Sequence, residues 1–155
     1  MTVLFTDLVD STRFSRELGD TSWRRRLSRL DSDAARLVGS RGGTLVKTTG
    51  DGILATFDGP GRAVETALAL CDEARGLGLE IRAGVHTGEC ERRGDDIGGL
   101  AVHLASRIQS AAQPGEVLVS STVVDLTIGS NLRFEPRDPQ DLKGFDRNFQ
   151  LFTAR

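Results

Sequence analysis

What this sequence lacks says more at first than what it contains. It has only two cysteines, Cys71 and Cys90, too few for a disulfide framework and at no metal-binding spacing. Cys71 falls within an apolar helical pattern, as a small core residue would. No apolar run approaches the roughly 20 residues needed to cross a bilayer, and no signal-peptide pattern opens the chain. A cytoplasmic setting is expected for this domain, although a longer parent could be membrane-tethered. The net charge of −2 gives no electrostatic reason to expect nucleic acid or contact with an anionic membrane. There are no internal repeats and no low-complexity linker. With 38% hydrophobic and 27% charged residues, the composition is that of a globular domain, not a disordered chain. The 155 residues suffice for one domain, 1–155, with one sizeable core. The chain opens almost directly on a strand, as expected of a domain cut from a longer protein or of an unusually short chain.

The most informative stretch is Val46–Thr56, VKTTGDGILAT. Gly50 and Gly52 bracket Asp51 between two β-type runs, which reads as a hairpin tip. A second carboxylate, Asp7, ends the first apolar run, VLFTDLVDST. Taken singly, Asp51 fits an ordinary turn and Asp7 an ordinary strand end. Taken together, two acids at strand ends are what a pair of divalent metals needs.

The remaining pattern supplies the frame. Residues 2–8 read as a buried strand, and Asp10, Ser11 and Thr12 offer caps for a long helix. Its apolar positions are Phe14, Leu18, Leu27, Leu30, Ala34 and Leu37, with Trp23 between them. The run Arg24, Arg25 and Arg26 fits a solvated helix face. After the hairpin, a second helix starts near Pro60, and Leu79, Ile81, Ala83 and Val85 line one face of a strand. A polar loop from Gly88 to Gly99 leads to a third helix with Val102, Ala105 and Ile108 inward. EVLVSS is another strand, followed by a short helix near 121–127 and two strands around Phe134 and 149–152. The order predicts an α+β fold: a ferredoxin-like βαββαβ core with a C-terminal α/β extension, its antiparallel sheet carrying helices on one face.

Several groups have chemical potential. The free amides from Leu8 to Thr12, at a helix N-terminus, suit a polyphosphate. His103 and Arg107 are four apart and share a helix face, and Arg107 can pair bidentately with phosphate. Asp96, in the preceding loop, can accept from an amino group. A surface Asp, a surface Arg and a histidine tucked against the sheet would read the same way.

The segments FTDLVDST, KTTGDG and GVHTGE, followed by Asp96, Val102 and Arg107 at fixed spacing, resemble the catalytic domain of class III adenylyl and guanylyl cyclases. The resemblance runs from Val3 to Phe152 and is nearest the bacterial branch. It implies that Asp7 and Asp51 hold two divalent ions, Mg²⁺ or Mn²⁺, joined by the Leu8 carbonyl. It implies that Lys47 and Asp96 read adenine, favouring ATP over GTP; Thr12, at the helix N-terminus suited to a polyphosphate, is counted with the substrate contacts. Arg107 matches the transition-state arginine, and Lys143, in DLKGF, the lysine for the terminal phosphates. His103 departs from the pattern: the family usually has asparagine there, supporting the ribose and transition state, so weaker turnover is expected. The family works as head-to-tail dimers, which implies a homodimer with Asp7 and Asp51 from one chain and Lys47, Asp96, His103, Arg107 and Lys143 from the other. The implied activity is adenylyl cyclase, forming 3′,5′-cyclic AMP and pyrophosphate from ATP. The alternatives are a catalytically weak or inactive nucleotide-binding and dimerisation module, a guanylyl cyclase, and another two-metal ferredoxin-like catalyst such as a diguanylate cyclase or polymerase palm.

Overall fold

The first strand, β1 (Thr2–Leu8), is apolar on both sides, and this decides the layering. The computed structural model of the chain describes residues 1–9, 13, 16, 17 and 19–155. After β1 come α1 (Asp20–Ser40), β2 (Thr44–Thr48), β3 (Ile53–Phe57), α2 (Pro60–Gly76) and β4 (Ile81–Thr87). There follow β5 (Glu91–Arg93), β6 (Asp96–Gly98), α3 (Leu100–Ala111), β7 (Val117–Ser120) and α4 (Ser121–Leu126). The chain ends with β8 (Phe134–Pro136), β9 (Gln140–Asp141), β10 (Asn148–Phe149) and β11 (Leu151–Ala154). The caps expected at Asp10, Ser11 and Thr12, with Phe14 and Leu18, lie outside the described residues.

Seven strands form one sheet in the order β2-β3-β1-β4-β7-β11-β8. The first four give the split βαβ core expected from the sequence, with β1 antiparallel to both β3 and β4. The extension adds a parallel pair, β4 with β7, so the sheet is mixed where a purely antiparallel one was expected. The segment between Gly88 and Gly99 is also more ordered than a polar loop: β5 and β6 pair as a short antiparallel hairpin.

Helices cover both faces of the sheet, not one. Leu4 and Leu8 of β1 join Ile53, Ala55, Leu30, Leu37, Val64, Leu70 and Val123 in the main core, which gathers α1, α2 and α4 on one face. Val3 faces the other way, with Leu54, and meets Val102 and Ala105 of α3. Alternate residues of one strand point to opposite faces, so apolar residues at both parities demand cover on both sides. A second cluster on the α3 side joins Leu104 and Ile108 to Leu118, Leu142, Phe149 and Leu151. Helix α3 lies directly on β4 because residue 84 is glycine: a Cβ there would stand 2.4 Å from the Gln109 nitrogen and 2.8 Å from the Ala105 carbonyl oxygen.

His86, on β4, is fixed by a 2.8 Å hydrogen bond between its Nδ1 and Ser120 Oγ at the end of β7. Burial, helped by the nearby charge of Arg147, pushes its pKa below the ordinary 6.5. The unfolded chain then binds this proton more readily than the folded one. Stability from the neutral ring is therefore complete above about pH 6.5 and is lost as pH falls through the lower folded value. Thermal melts from about pH 7 to about pH 5 should show a falling Tm, with a shallower fall in His86→Gln. Equal slopes would mean that other groups govern the acid limb.

Candidate active site

The turn between β2 and β3 does more than reverse the chain. The Thr49 amide donates to the Gly52 carbonyl at 2.8 Å, and the Leu8 amide donates to the Asp51 carbonyl at 2.9 Å. Thr6, buried at 6% exposure, accepts from the Ile53 amide through its hydroxyl at 3.2 Å. These bonds dock the hairpin tip onto the end of β1 and bring Asp51 beside Asp7. Glycine at 52 makes the docking possible: a Cβ there would stand 1.7 Å from the Thr6 carbonyl oxygen. At Gly50 the requirement is different, a φ of +88° with open space around it.

The Asp7 carboxyl has its pKa raised, first by partial burial and then by the charge of Asp51. Arg82 and the Leu8 amide act in the opposite direction. Arg82 is the cross-strand partner of Asp7, with Nη2 3.6 Å from the carboxylate and a buried Nε that meets no acceptor among the described residues. The sequence does not single out Arg82, because only the strand register reveals the pairing. Two clustered carboxylates are a site that gains from a bound cation. Among the described residues no group of three or more Asp, Glu, His or Cys could hold a metal. A metal at Asp7 and Asp51 would therefore take its remaining ligands from backbone, water or substrate oxygens, as hard divalent ions commonly do.

A second pair forms at the β2 edge. Lys47 Nζ donates to Asp96 Oδ2 at 2.9 Å, and the Ile97 amide donates to Asp96 Oδ1 at 2.8 Å. The Lys47 bond, then the Ile97 bond, hold the Asp96 carboxyl below its ordinary pKa. Both side chains are 47% exposed, so this ion pair contributes little to stability and opens at little cost. The pair joins residues 49 positions apart, and the β2–β3 register shifts between Leu45 and Lys47, an irregularity the sequence does not reveal.

The third group lies along α3. His103 and Arg107 are half-buried one turn apart, and Arg107 Nε is buried with no acceptor among the described residues. Lys143 is exposed in the turn after β9, and the adjacent Gly144 abuts the His103 ring. Leu8 is buried in the core, and Thr12 lies outside the described residues. Two clefts of about 340 Å³ each lie elsewhere, around Glu116 and Arg137 and around Asp33 and Glu73. A smaller one of about 200 Å³ reaches Asp96 beside Val46, Thr56 and Ile97. The cleft around Glu116 is lined by an internal ion pair, Arg137 to Glu116 at 2.5 Å.

This arrangement of sheet and helices is that of nucleotide cyclase catalytic domains. The crystal structure of the adenylyl cyclase CyaB from P. aeruginosa superposes with a TM-score of 0.89 at 27% identity, covering 99% of this chain and 92% of that one. The model of the adenylate and guanylate cyclase catalytic domain matches residues 1–153, and the chain belongs to that family. The adenylate cyclase of Streptomyces coelicolor is 36% identical over 130 residues, 81% of this chain and 33% of the relative. That of Streptomyces griseus is 37% identical over 122 residues, 76% of this chain and 30% of the relative. The chain thus spans about a third of the length of these curated relatives. Among the described residues, no helix is long and apolar enough to cross a membrane.

Gly52→Ala should cost at least about 2 kcal/mol in urea unfolding, because backbone must move. Gly50→Ala should cost only about 1 kcal/mol, the strain of a positive φ. Equal costs would show that the tip does not press on β1.

Proposed function

We propose that this domain, taken as one unit over 1–155, is an adenylyl cyclase that converts ATP to 3′,5′-cyclic AMP and pyrophosphate at a site shared between two copies of the chain. The observation that carries this is the docking of the hairpin tip, which sets Asp51 beside Asp7 at the end of β1. Asp7 and Asp51, with the Leu8 carbonyl, would hold divalent metal, Mg²⁺ or Mn²⁺. When bound, such an ion makes a coordinated hydroxyl more acidic and offsets phosphate charge.

The chain's own residues then divide the work. Lys47 donates to adenine N1, and Asp96 accepts from the 6-amino group. Guanine presents the reverse pattern at these atoms, so this pair favours ATP, and names of relatives such as the Streptomyces coelicolor adenylate cyclase agree. The ribose 3′-oxygen attacks the α-phosphorus, its proton leaves to solvent, and the bond to the β-phosphate oxygen breaks to release pyrophosphate. Arg107, whose buried Nε is without an acceptor, donates to the α-phosphoryl group as charge builds there. Lys143 holds the terminal phosphates, with Thr12 among the substrate contacts. Asp7 and Asp51 would face Lys47, Asp96, His103, Arg107 and Lys143 of a second copy. Two-fold symmetry would then give two equivalent sites.

The second reading, a nucleotide-binding and dimerisation module with weak or no turnover, is favoured by one observation. His103 occupies the position where the family usually has asparagine, and its ring lies against other protein groups.

Cyclic AMP formation should be measured with Mn²⁺ and with Mg²⁺ over a range of protein concentration. Specific activity should rise with concentration, and Asp51→Ala should lose about 100-fold or more, as expected on removing a metal ligand. ATP still bound without product at any concentration would favour the module. Separately, Lys47→Ala and Asp96→Ala should each lower kcat/KM for ATP by about tenfold or more while affecting GTP less. Equal losses for both nucleotides would overturn the base-reading assignment.

A further inference from the structure

His103 is not directed outward as a free polar group. Its ring stacks on Phe145 with centroids 5.4 Å apart and an interplanar angle of 24°. Phe145 meets Phe149 edge-on at 5.5 Å and 87°, and Phe149 is buried and capped by the Arg147 guanidinium at 4.1 Å. Phe145 ends the turn that carries Lys143. The turn is closed by the Phe145 amide donating to the Leu142 carbonyl at 3.1 Å, with Leu142 buried against the α3 side chains Leu104 and Ile108. Residue 144 has a φ of +92°, and a Cβ there would stand 3.0 Å from His103 Nε2. The imidazole thus stacks on one residue of the turn and sets its Nε2 close to the residue before it.

We propose that His103 is a positioning residue: by stacking on Phe145 and abutting Gly144, it holds the 142–145 turn on α3 and so fixes Lys143 beside the helix face that carries Arg107. The proposal rests on the reading of Lys143 as a phosphate contact. Asparagine at 103 would have no ring to stack and would leave Phe145 half-covered. The turn would still be tethered by Leu142 and Phe149, yet free to rock between them. Phe145 would then be the residue that makes histidine useful at this position.

The test uses the whole chain and inorganic pyrophosphate as probe, with affinity measured by calorimetry in chelator, so that turnover and metal play no part. Thermal melting of the same variants reads the stack itself. His103→Asn and Phe145→Leu should each weaken pyrophosphate about fivefold, and the double variant should be no weaker than either single one. His103→Phe, which keeps a ring on Phe145, should stay within about twofold of wild type. In the cyclase assay, His103→Asn should raise KM for ATP more than it changes kcat. Additive losses, or His103→Phe failing as badly as His103→Asn, would overturn the proposal by placing the imidazole on the ligand. So would a rise in kcat in His103→Asn with pyrophosphate affinity unchanged. Lys143→Ala separates the two layers. If it weakens pyrophosphate while His103→Asn does not, the anchoring role falls alone. If it has no effect while His103 and Phe145 remain coupled in melting, the phosphate reading of Lys143 falls and takes the proposal with it.

Discussion

One contact organises the working end of this domain: the amide of Leu8 bonded to the carbonyl of Asp51. It joins the end of β1 to the tip of the hairpin, segments far apart in sequence. Everything about the carboxylate pair follows from it. Gly52 must be glycine so that the tip can reach the Thr6 carbonyl, and Thr6 must offer a hydroxyl to the Ile53 amide. The two acids are brought near enough that the charge of Asp51 raises the pKa of Asp7. Their repulsion is a cost the fold carries, eased in part by Arg82 across the strand and removable by a bound cation.

The layering of the sheet sets the rest. With α1, α2 and α4 on one face, α3 takes the other and is pressed close by Gly84. This gives α3 two neighbours with different work: the β1–β3 patch through Val102 and Ala105, and the C-terminal turns through Leu104 and Ile108. His103 and Arg107 sit where that second contact begins. The extension after β7 is thus more than added sheet, because it supplies the turn against which the His103 ring is packed.

Much of this was legible in the residues. The glycine-bracketed Asp51, the strand-end Asp7 and the βαββαβ order follow from turn chemistry and apolar periodicity. The two-sided cover could have been read as well: Val3 and Phe5 beside Leu4 and Leu8 are apolar at both parities. Partnerships set by register were not legible. Asp7 with Arg82 depends on how β1 slides against β4, whereas Lys47 and Asp96 come together in the sequence only through the family resemblance, not through any local pattern. The stack of His103 on Phe145 joins a helix to a turn beyond three intervening strands and a helix, where no local pattern reaches. The segment around Thr12 lies outside the described residues, so the helix start expected there rests on sequence alone.

The Leu8–Asp51 bond also gives the site a built-in gauge. An amide held by a distant carbonyl exchanges its proton with solvent only when that contact opens. Exchange at this one position therefore measures how often the hairpin tip leaves the strand, in the same units as global unfolding. A tip that opens far more often than the core would make the carboxylate pair a separate, low-stability unit of the domain. A tip that opens only with the core would make the geometry of the pair as durable as the fold.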